Sequence, residues 1–285
     1  MACEINLEPI WPEEELPLHS QCTPKIIDSL MGCGLGIGIA FGRWKEPEEG
    51  MELREPINAL THGFWAIVML PPVAVLARAA WPDPRAVVGV ALYAFGMLFS
   101  FAASGYFHGV VGSEERVAFA QTLDHVGIHL FIAGTWTAFA LIALPLRLAG
   151  VFLGAIWLLA LIGSGLRVGM GSVPVVAATS IYLLMGWCSL ACHGYLMRGL
   201  TRSELGKLWL GGIIFTIGAL INGFRWPNLL PGVMGYHELF HLLVIAASLT
   251  HFVAVAELVW RAREANLQKN GNGPNEAVGC KVEGE

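Results

Sequence analysis

The stretch MGYHELFHLLVIAASLTHF, residues 234–252, places an HExxH motif at the start of a long apolar run. The run carries Glu238 near its start, and the next carboxylate, Glu257, comes only near its end. The interior between these two carboxylates is long enough to cross a hydrocarbon core of about 30 Å. The stretch therefore predicts a transmembrane helix that carries His237 and His241 in its first turns.

The composition of the whole chain also indicates a membrane protein. Of its 285 residues, 55% are hydrophobic and only 14% are charged, whereas soluble domains have about 25% charged residues. Apolar windows separated by short polar breaks predict seven spanning helices in an all-α bundle. Pro71 and Pro72 predict a kink in the first of them. The predicted spans are approximately residues 57–79, 86–111, 120–144, 148–166, 175–197, 205–224 and 235–260.

Both ends of the chain are polar. Residues 1–53 carry ten acidic and three basic side chains and are predicted to be an acidic, partly disordered tail. Within them, the apolar segment at residues 30–42 is too short to span a bilayer. Residues 1–24 have neither the basic start nor the apolar core of a signal peptide. The membrane domain is predicted at residues 54–260, followed by a disordered tail at residues 261–285.

Charge and cysteine content argue against two other classes of protein. The formal net charge of -5 arises mostly from the acidic tail, so nothing indicates a nucleic-acid partner. The six cysteines form no CxxC pair and no dense framework, which argues against a disulfide-built secreted fold. Membrane lipids are the expected surroundings of the chain.

The alternating direction of the seven spans decides which polar side chains can meet. The end of the second span, the start of the third and the start of the seventh all face the same side of the membrane. Ser104 and His108 lie at the first of these ends, Asp124 at the second, and the two histidines of HExxH at the third. These residues are therefore predicted to share one depth in the membrane.

Three histidines at one depth form a candidate zinc site. His237 and His241 are four residues apart, so their rings share a helix face and could bind one ion together with His108. Three neutral histidines leave a fourth position for water, whose pKa zinc lowers to about 7. Asp124 would orient that water or accept its proton. Ser104 is a weaker candidate, because serine often bonds its own helix backbone.

The alternative is that these are ordinary interfacial or packed side chains. For the histidines taken singly, that alternative stays open. An aspartate is different, because at the centre of a spanning helix it costs about 2.5–3.5 kcal/mol on insertion scales. Asp124 is near an end of its span, where the cost is lower, but it remains a candidate for function.

A soluble zinc protease is the other class of enzyme that uses HExxH. Such an enzyme needs a third ligand nearby. The next histidine, His251, lies ten residues past His241, which is about 15 Å along a helix. No HxxGxxH continuation follows. The sequence therefore favours Glu238 as an outer hydrogen-bond partner or an interfacial residue over a catalytic base.

Other polar side chains within the spans have more than one interpretation. Asn58 and His62 share a face at the start of the first span, where they either support the metal ligands or cap their helix. His125 and His129 are interpreted as packing or hydrogen-bonding residues. His251 is interpreted as a contact between helices.

Five segments carry a family resemblance: REPINALTHGFW (54–65), SGYFH (104–108), LDHVGIHLFIAGTW (123–136), YLLMGW (182–187) and HELFHLLVIAASLTHFVAV (237–255). Together they resemble the hemolysin III family, which belongs with the progestin and adipoQ receptors. The chain is more distantly similar to alkaline ceramidases. The resemblance covers about residues 54–260.

The resemblance implies a seven-helix fold in which zinc is held by His108, His237 and His241, with Asp124 and Ser104 around the bound water. It implies zinc-dependent hydrolysis of a lipid amide, as in ceramidases, or of an ester. The alternatives are a receptor with a structural zinc and a pore-forming protein. It also implies a plasma or bacterial inner membrane with the N-terminus in the cytoplasm, although the Lys and Arg residues of the loops do not decide the orientation.

Overall fold

The computed structural model describes residues 53–171, 173–230, 233–269 and 271. Apart from Leu53, the acidic tail predicted at residues 1–53 lies outside the described residues. Within the described ranges the secondary structure is helical, with one isolated bridge between Leu230 and Met234. The predicted all-α class is confirmed.

Seven helical segments are long and apolar enough to span a membrane, as predicted. Large apolar side chains on their outer faces are exposed, for example Val151 at 76% and Leu161 at 68%, which suits contact with lipid. The chain is a multi-pass integral membrane protein. In chain order, spans 1 to 7 are Pro56–Ala80, Pro84–Gly109, Glu114–Ala143, Leu146–Met170, Val175–Gly199, Arg202–Phe224 and Tyr236–Lys269.

Span 1 is interrupted where a kink was predicted. It consists of two helices, Pro56–Val68 and Leu70–Ala80, which meet at Met69. Pro71 and Pro72 have no N–H to donate one turn back, and their rings crowd the preceding turn. The interruption therefore follows from the two prolines.

Span 5 changes helix type halfway along its length. The helix Val175–Trp187 passes into the 3₁₀ turn Cys188–Cys192 and then into the helix His193–Gly199. At the end of the 3₁₀ turn, the backbone N–H of His193 donates to the carbonyl oxygen of Leu190, three residues back. This spacing matches the tighter winding of a 3₁₀ helix.

Spans 2 and 3 pack closely because glycines lie at their contact. A Cβ atom on Gly96 would overlap the carbonyl oxygen of Leu130, and one on Gly134 would overlap that of Leu92. Small residues allow transmembrane helices to approach each other in this way. The close pair fixes the end of span 2 beside the start of span 3.

All seven spans contribute to the buried apolar core. The spans are thereby held by packing along the length of the bundle, and not only at the polar end described below. The largest fully buried apolar side chains include Tyr93, Phe101, Phe139, Met97 and Ile156.

Span 7 is longer than predicted. It continues to Lys269, so the predicted boundary at residue 260 and the disorder predicted from residue 261 are wrong for residues 261–269. This segment is rich in good helix formers. In addition, the Arg261 guanidinium donates to both carboxylate oxygens of Glu204, at 2.9 and 2.8 Å. The contact with span 6 holds a polar segment in the helix.

Candidate metal centre

Three histidines converge at one end of the bundle. The ring nitrogens of His108, His237 and His241 lie within 4.8 Å of one another. His108 is in the last turn of span 2, and the other two are in the first two turns of span 7. The Nε2 atoms of His108 and His237 are 3.4 Å apart. The structure thus brings together the histidines that the sequence predicted at one depth.

Glu55 holds the ring of His108 from the outside. His108 Nδ1 donates to Glu55 Oε2 at 2.7 Å, and the Glu55 backbone N–H donates to the His108 carbonyl oxygen at 2.8 Å. A carboxylate only accepts, so this bond places the ring proton on Nδ1 and leaves Nε2 free to bind a cation. Burial raises the pKa of Glu55, but the hydrogen bonds from His108 and Asn58 and the nearby Arg54 guanidinium outweigh it and lower the pKa to about 2.

Asn222 has the same relation to His237. Its side-chain oxygen, near the end of span 6, accepts a hydrogen bond from His237 Nδ1 at 2.9 Å. The Nε2 atom of His237 is therefore also unprotonated, and it faces Nε2 of His108. Two nitrogen lone pairs that face each other repel, and a shared cation would turn that repulsion into attraction.

His241 is buried, and its Nδ1 atom has no hydrogen-bond partner among the described residues. The ring of His62 stacks on it, with centroids 3.8 Å apart. His62 Nδ1 is hydrogen-bonded to Ser104 Oγ at 2.9 Å, and His62 Nε2 lies 3.4 Å from the His241 carbonyl oxygen. Of the two interpretations of His62, support of the metal ligands fits better than helix capping.

The three histidines fit a zinc ion by two criteria. The Nε2 atoms of His108 and His237 are unprotonated and lie 3.4 Å apart, and a cation between them would be attracted to both. Two Zn–N bonds of about 2.0–2.1 Å bridge nitrogens up to about 4 Å apart, so separations within 4.8 Å would close with small side-chain movements. Three histidines with one open position are the ligand set of a catalytic zinc site.

Asp124 and Ser104 line the same cavity as the three histidines. Ser104 lies one turn before His108 on span 2, and Asp124 lies almost three turns into span 3. The Ser104 hydroxyl is engaged by His62, which links it to the stacked rings. The structure therefore places both residues beside the cluster, and their catalytic roles stay predictions.

A cavity of about 340 Å³ extends from the histidines into the bundle. Its lining follows span 3 from Asp124 to Trp136, a length of about 18 Å at 1.5 Å per residue. Most of the lining is apolar, including Phe215 in the middle and Leu208 at the far end. The cavity can hold an elongated apolar molecule with one end at the histidines.

The other histidines of the spans make the kinds of contact that the sequence suggested. His251 Nε2 is hydrogen-bonded to the Leu208 carbonyl oxygen at 3.1 Å and joins spans 7 and 6. His125 Nδ1 donates to the Gln121 carbonyl oxygen at 2.8 Å. His129 is buried within the bundle. None of these belongs to the cluster of three ring nitrogens found among the described residues.

Two contributors, Glu55 and Asn222, were not singled out from the sequence. Glu55 directly precedes the first span and looks like part of the polar boundary. Asn222 is a single amide near the end of a helix. One signal does exist for Asn222, because the end of span 6 faces the same side of the membrane as the end of span 2.

Comparison with known proteins places the chain in a family. The pattern of the family described as Haemolysin-III related matches residues 52–252, more than half of the chain. The chain is 32% identical over 203 residues to Hemolysin-3 of Bacillus cereus, a match that covers 70% of this chain and 90% of that protein. It is 26% identical over 203 residues to the Hemolysin-3 homolog of Bacillus subtilis (strain 168), a match that covers 70% of this chain and 92% of that protein.

A receptor is also among the relatives. The chain is 29% identical over 176 residues to the Adiponectin receptor protein of Drosophila melanogaster, a match that covers 60% of this chain and 33% of that protein. The family match includes the three clustered histidines, Asp124 and Ser104. This chain belongs to the haemolysin III-related family of membrane proteins.

Proposed function

We propose that this chain hydrolyses the acyl amide or ester bond of a membrane lipid with a zinc ion held by His108, His237 and His241. One observation carries the proposal: the three histidine ring nitrogens lie within 4.8 Å of one another at the end of a largely apolar cavity of about 340 Å³. Structural zinc sites are usually closed by four protein ligands. Three ligands that open into a cavity suit catalysis better.

The cavity supports a lipid as the substrate. An acyl chain would lie along the apolar lining between Asp124 and Trp136, where van der Waals contacts with the lining replace its contacts with the surrounding lipid. The carbonyl group would then rest at the histidine end. Binding of the chain would thus orient the reactive bond at the metal, which lowers the barrier to reaction.

Each side chain of the site has its own proposed role in the hydrolysis. When bound, zinc would polarise the acyl carbonyl and make water a stronger nucleophile. Asp124 would accept a proton from the attacking water and deliver it to the departing amine or alcohol as the acyl bond breaks. Water is consumed, and a fatty acid and an amine or alcohol are released. Glu55 and Asn222 keep the Nδ1 protons on two of the ligand rings, so that both present Nε2.

The proposal is tested with the full-length protein purified in detergent. Zinc content is measured by mass spectrometry, and fatty acid release is measured from ceramides and from ester lipids. We expect about one zinc per chain and release that His108→Ala abolishes. Asp124→Asn should keep the metal and lose the release. His193→Ala is the matched control, because His193 does not line the cavity, and it should keep both.

If the zinc-loaded protein releases no fatty acid from any of these lipids, hydrolysis is wrong. The names of the relatives suggest two other functions. A receptor with a structural zinc would lose thermal stability on chelation and bind a partner in response to a ligand, without lipid cleavage. A pore-forming protein would make liposomes leak equally well with and without the three histidines.

A further inference from the structure

The segment just before span 1 is fastened to the end of span 2. The backbone N–H of Glu55 donates to the His108 carbonyl oxygen at 2.8 Å. Beside it, Arg54 Nη2 donates to the Phe107 carbonyl oxygen at 2.7 Å, and the Arg54 guanidinium lies 4.3 Å from the centre of the Phe107 ring. The Glu55 side chain is therefore fixed beside one of the three histidines by contacts that do not depend on its carboxylate.

The Glu55 carboxylate joins a chain of hydrogen bonds that connects spans 1, 2 and 7. Glu55 Oε2 accepts from His108 Nδ1 at 2.7 Å and from Asn58 Nδ2 at 3.0 Å. Asn58 Nδ2 also donates to Glu238 Oε1 at 3.0 Å. An amide nitrogen has two hydrogens, so both bonds of Asn58 form together. Glu238 Oε2 in turn accepts from the backbone N–H of Gly235 at 2.9 Å.

This chain of bonds acts on the atom of His108 that faces away from the other histidines. A histidine with no partner at Nδ1 exchanges its proton between the two ring nitrogens and turns about its side-chain bonds. With Glu55 at Nδ1, the proton stays there, and Nε2 is held 3.4 Å from Nε2 of His237. Outer carboxylates of this kind commonly change metal affinity by about 10–100-fold.

We infer that Glu55 is a positioning residue for the metal site: it fixes the tautomer and the ring direction of His108, and Asn58 ties it to Glu238 on the helix that carries His237 and His241. This inference rests on the proposed zinc site. It also gives the glutamate of HExxH a place as an anchor of the network at the start of span 7, away from the reaction itself.

The test measures the zinc dissociation constant of the full-length protein by competition with a chelator of known affinity. Glu55→Gln removes the charge with little change of shape and should weaken zinc binding about 10–100-fold. Asn58→Leu leaves Glu55 in place but cuts its link to Glu238, so its effect should be smaller. Glu114→Gln is the matched control, an exposed acidic residue at the start of span 3 on the same side of the membrane, and should bind zinc like the wild type.

A second measurement separates positioning from simple stabilisation. In the chelated proteins, Glu55→Gln should lower the unfolding temperature only slightly, because it weakens hydrogen bonds of the Glu55 carboxylate, whereas the rise in Tm on adding zinc should be clearly smaller than in the wild type. The d–d absorption spectrum with cobalt in place of zinc should also differ from that of the wild type, because one ligand ring has moved. Glu55→Asp, which keeps a carboxylate, should restore part of the zinc affinity.

Each other outcome has a distinct meaning. If the wild type binds zinc tightly and Glu55→Gln binds it equally well, the positioning role is wrong and the zinc site stands. If Glu55→Gln lowers the Tm of the chelated protein as much as that of the zinc-loaded protein, Glu55 is only structural and the inference is wrong. The same conclusion follows if neither Glu55 variant folds. If the wild type binds no zinc, the proposed function and this inference fall together.

Discussion

The rings of His62 and His241 stack with their centroids 3.8 Å apart and 22° between their planes, although they come from spans 1 and 7. His62 is held in this position by Ser104 Oγ at 2.9 Å. The stack is important because it fixes the plane of a ring whose Nδ1 atom has no partner among the described residues. The first span thus supports a proposed metal ligand, His241, without supplying one.

Replacing His62 tests this support directly. His62→Ala removes the stacked ring, so His241 gains freedom that zinc binding must then restrict, and we expect about tenfold weaker zinc binding. His62→Phe keeps a ring against His241 and should bind zinc more tightly than His62→Ala. A chelator competition titration compares the two. Equal zinc affinity in wild type, His62→Ala and His62→Phe would show that the stack has no influence on the site.

Gly96→Ala tests the close contact of spans 2 and 3. The added methyl group would overlap the Leu130 carbonyl oxygen, so the helices must separate, at a cost of about 1–3 kcal/mol. Thermal unfolding in detergent should show a clear decrease in Tm. Gly150→Ala is the matched control, because its Cβ would meet nothing within 4 Å, and its Tm should not fall. Equal Tm values for the two variants would contradict the packing described here.

Arg261→Met tests the contact that extends span 7. Glu204 is 1% exposed, and loss of its guanidinium partner leaves a buried carboxylate, which costs more than the roughly 1–3 kcal/mol of a neutral group. We expect a lower Tm, partly restored when Glu204→Gln is added. The control is Arg263→Met. Arg263 lies on the same helix, but its guanidinium contacts the Trp260 ring and no carboxylate of the described residues, so the substitution should change the Tm little. If Arg261→Met and Arg263→Met unfold alike, the ion pair does not stabilise the bundle.

Gly212→Leu tests whether the cavity holds an acyl chain. Gly212 lines the cavity, and a Cβ there would meet nothing within 4 Å. Asn222 is bonded to His237 at the histidine end of the cavity. Gly212 lies ten residues before Asn222, about 15 Å along span 6, so a leucine there would fill the part of the cavity that is far from the histidines. Release of long acyl chains should fall, whereas short chains and zinc binding are unaffected. An equal loss of fatty acid release for short and long acyl chains would contradict the proposed position of the acyl chain in the cavity.

Much of the fold and the meeting of the three histidines could be predicted because both depend on simple properties of the sequence. The length of an apolar run decides whether it can cross a bilayer, and the number of spans between two segments decides whether they lie on the same side of the membrane. Two histidines four residues apart, His237 and His241, necessarily lie on one helix face. From these rules, His108 could be placed beside them without knowing the packing.

The remaining features depend on how the helices are rotated and where the chain turns between them. The bond of Glu55 to His108 requires the chain before span 1 to fold against span 2, and nothing in a single glutamate before a proline indicates this. The helix beyond residue 260 could not be distinguished from a polar tail until Glu204 was known to lie beside Arg261. Such contacts are tertiary, and local sequence patterns do not encode them.

The most direct test of the account is the metal content of the purified full-length protein, followed by X-ray absorption at the zinc edge. We predict about one zinc per chain, surrounded by nitrogen ligands at about 2.0–2.1 Å, and loss of that zinc in the double variant His108→Ala His237→Ala. Wild-type protein that binds no zinc, or a double variant that holds as much zinc as the wild type, would contradict it.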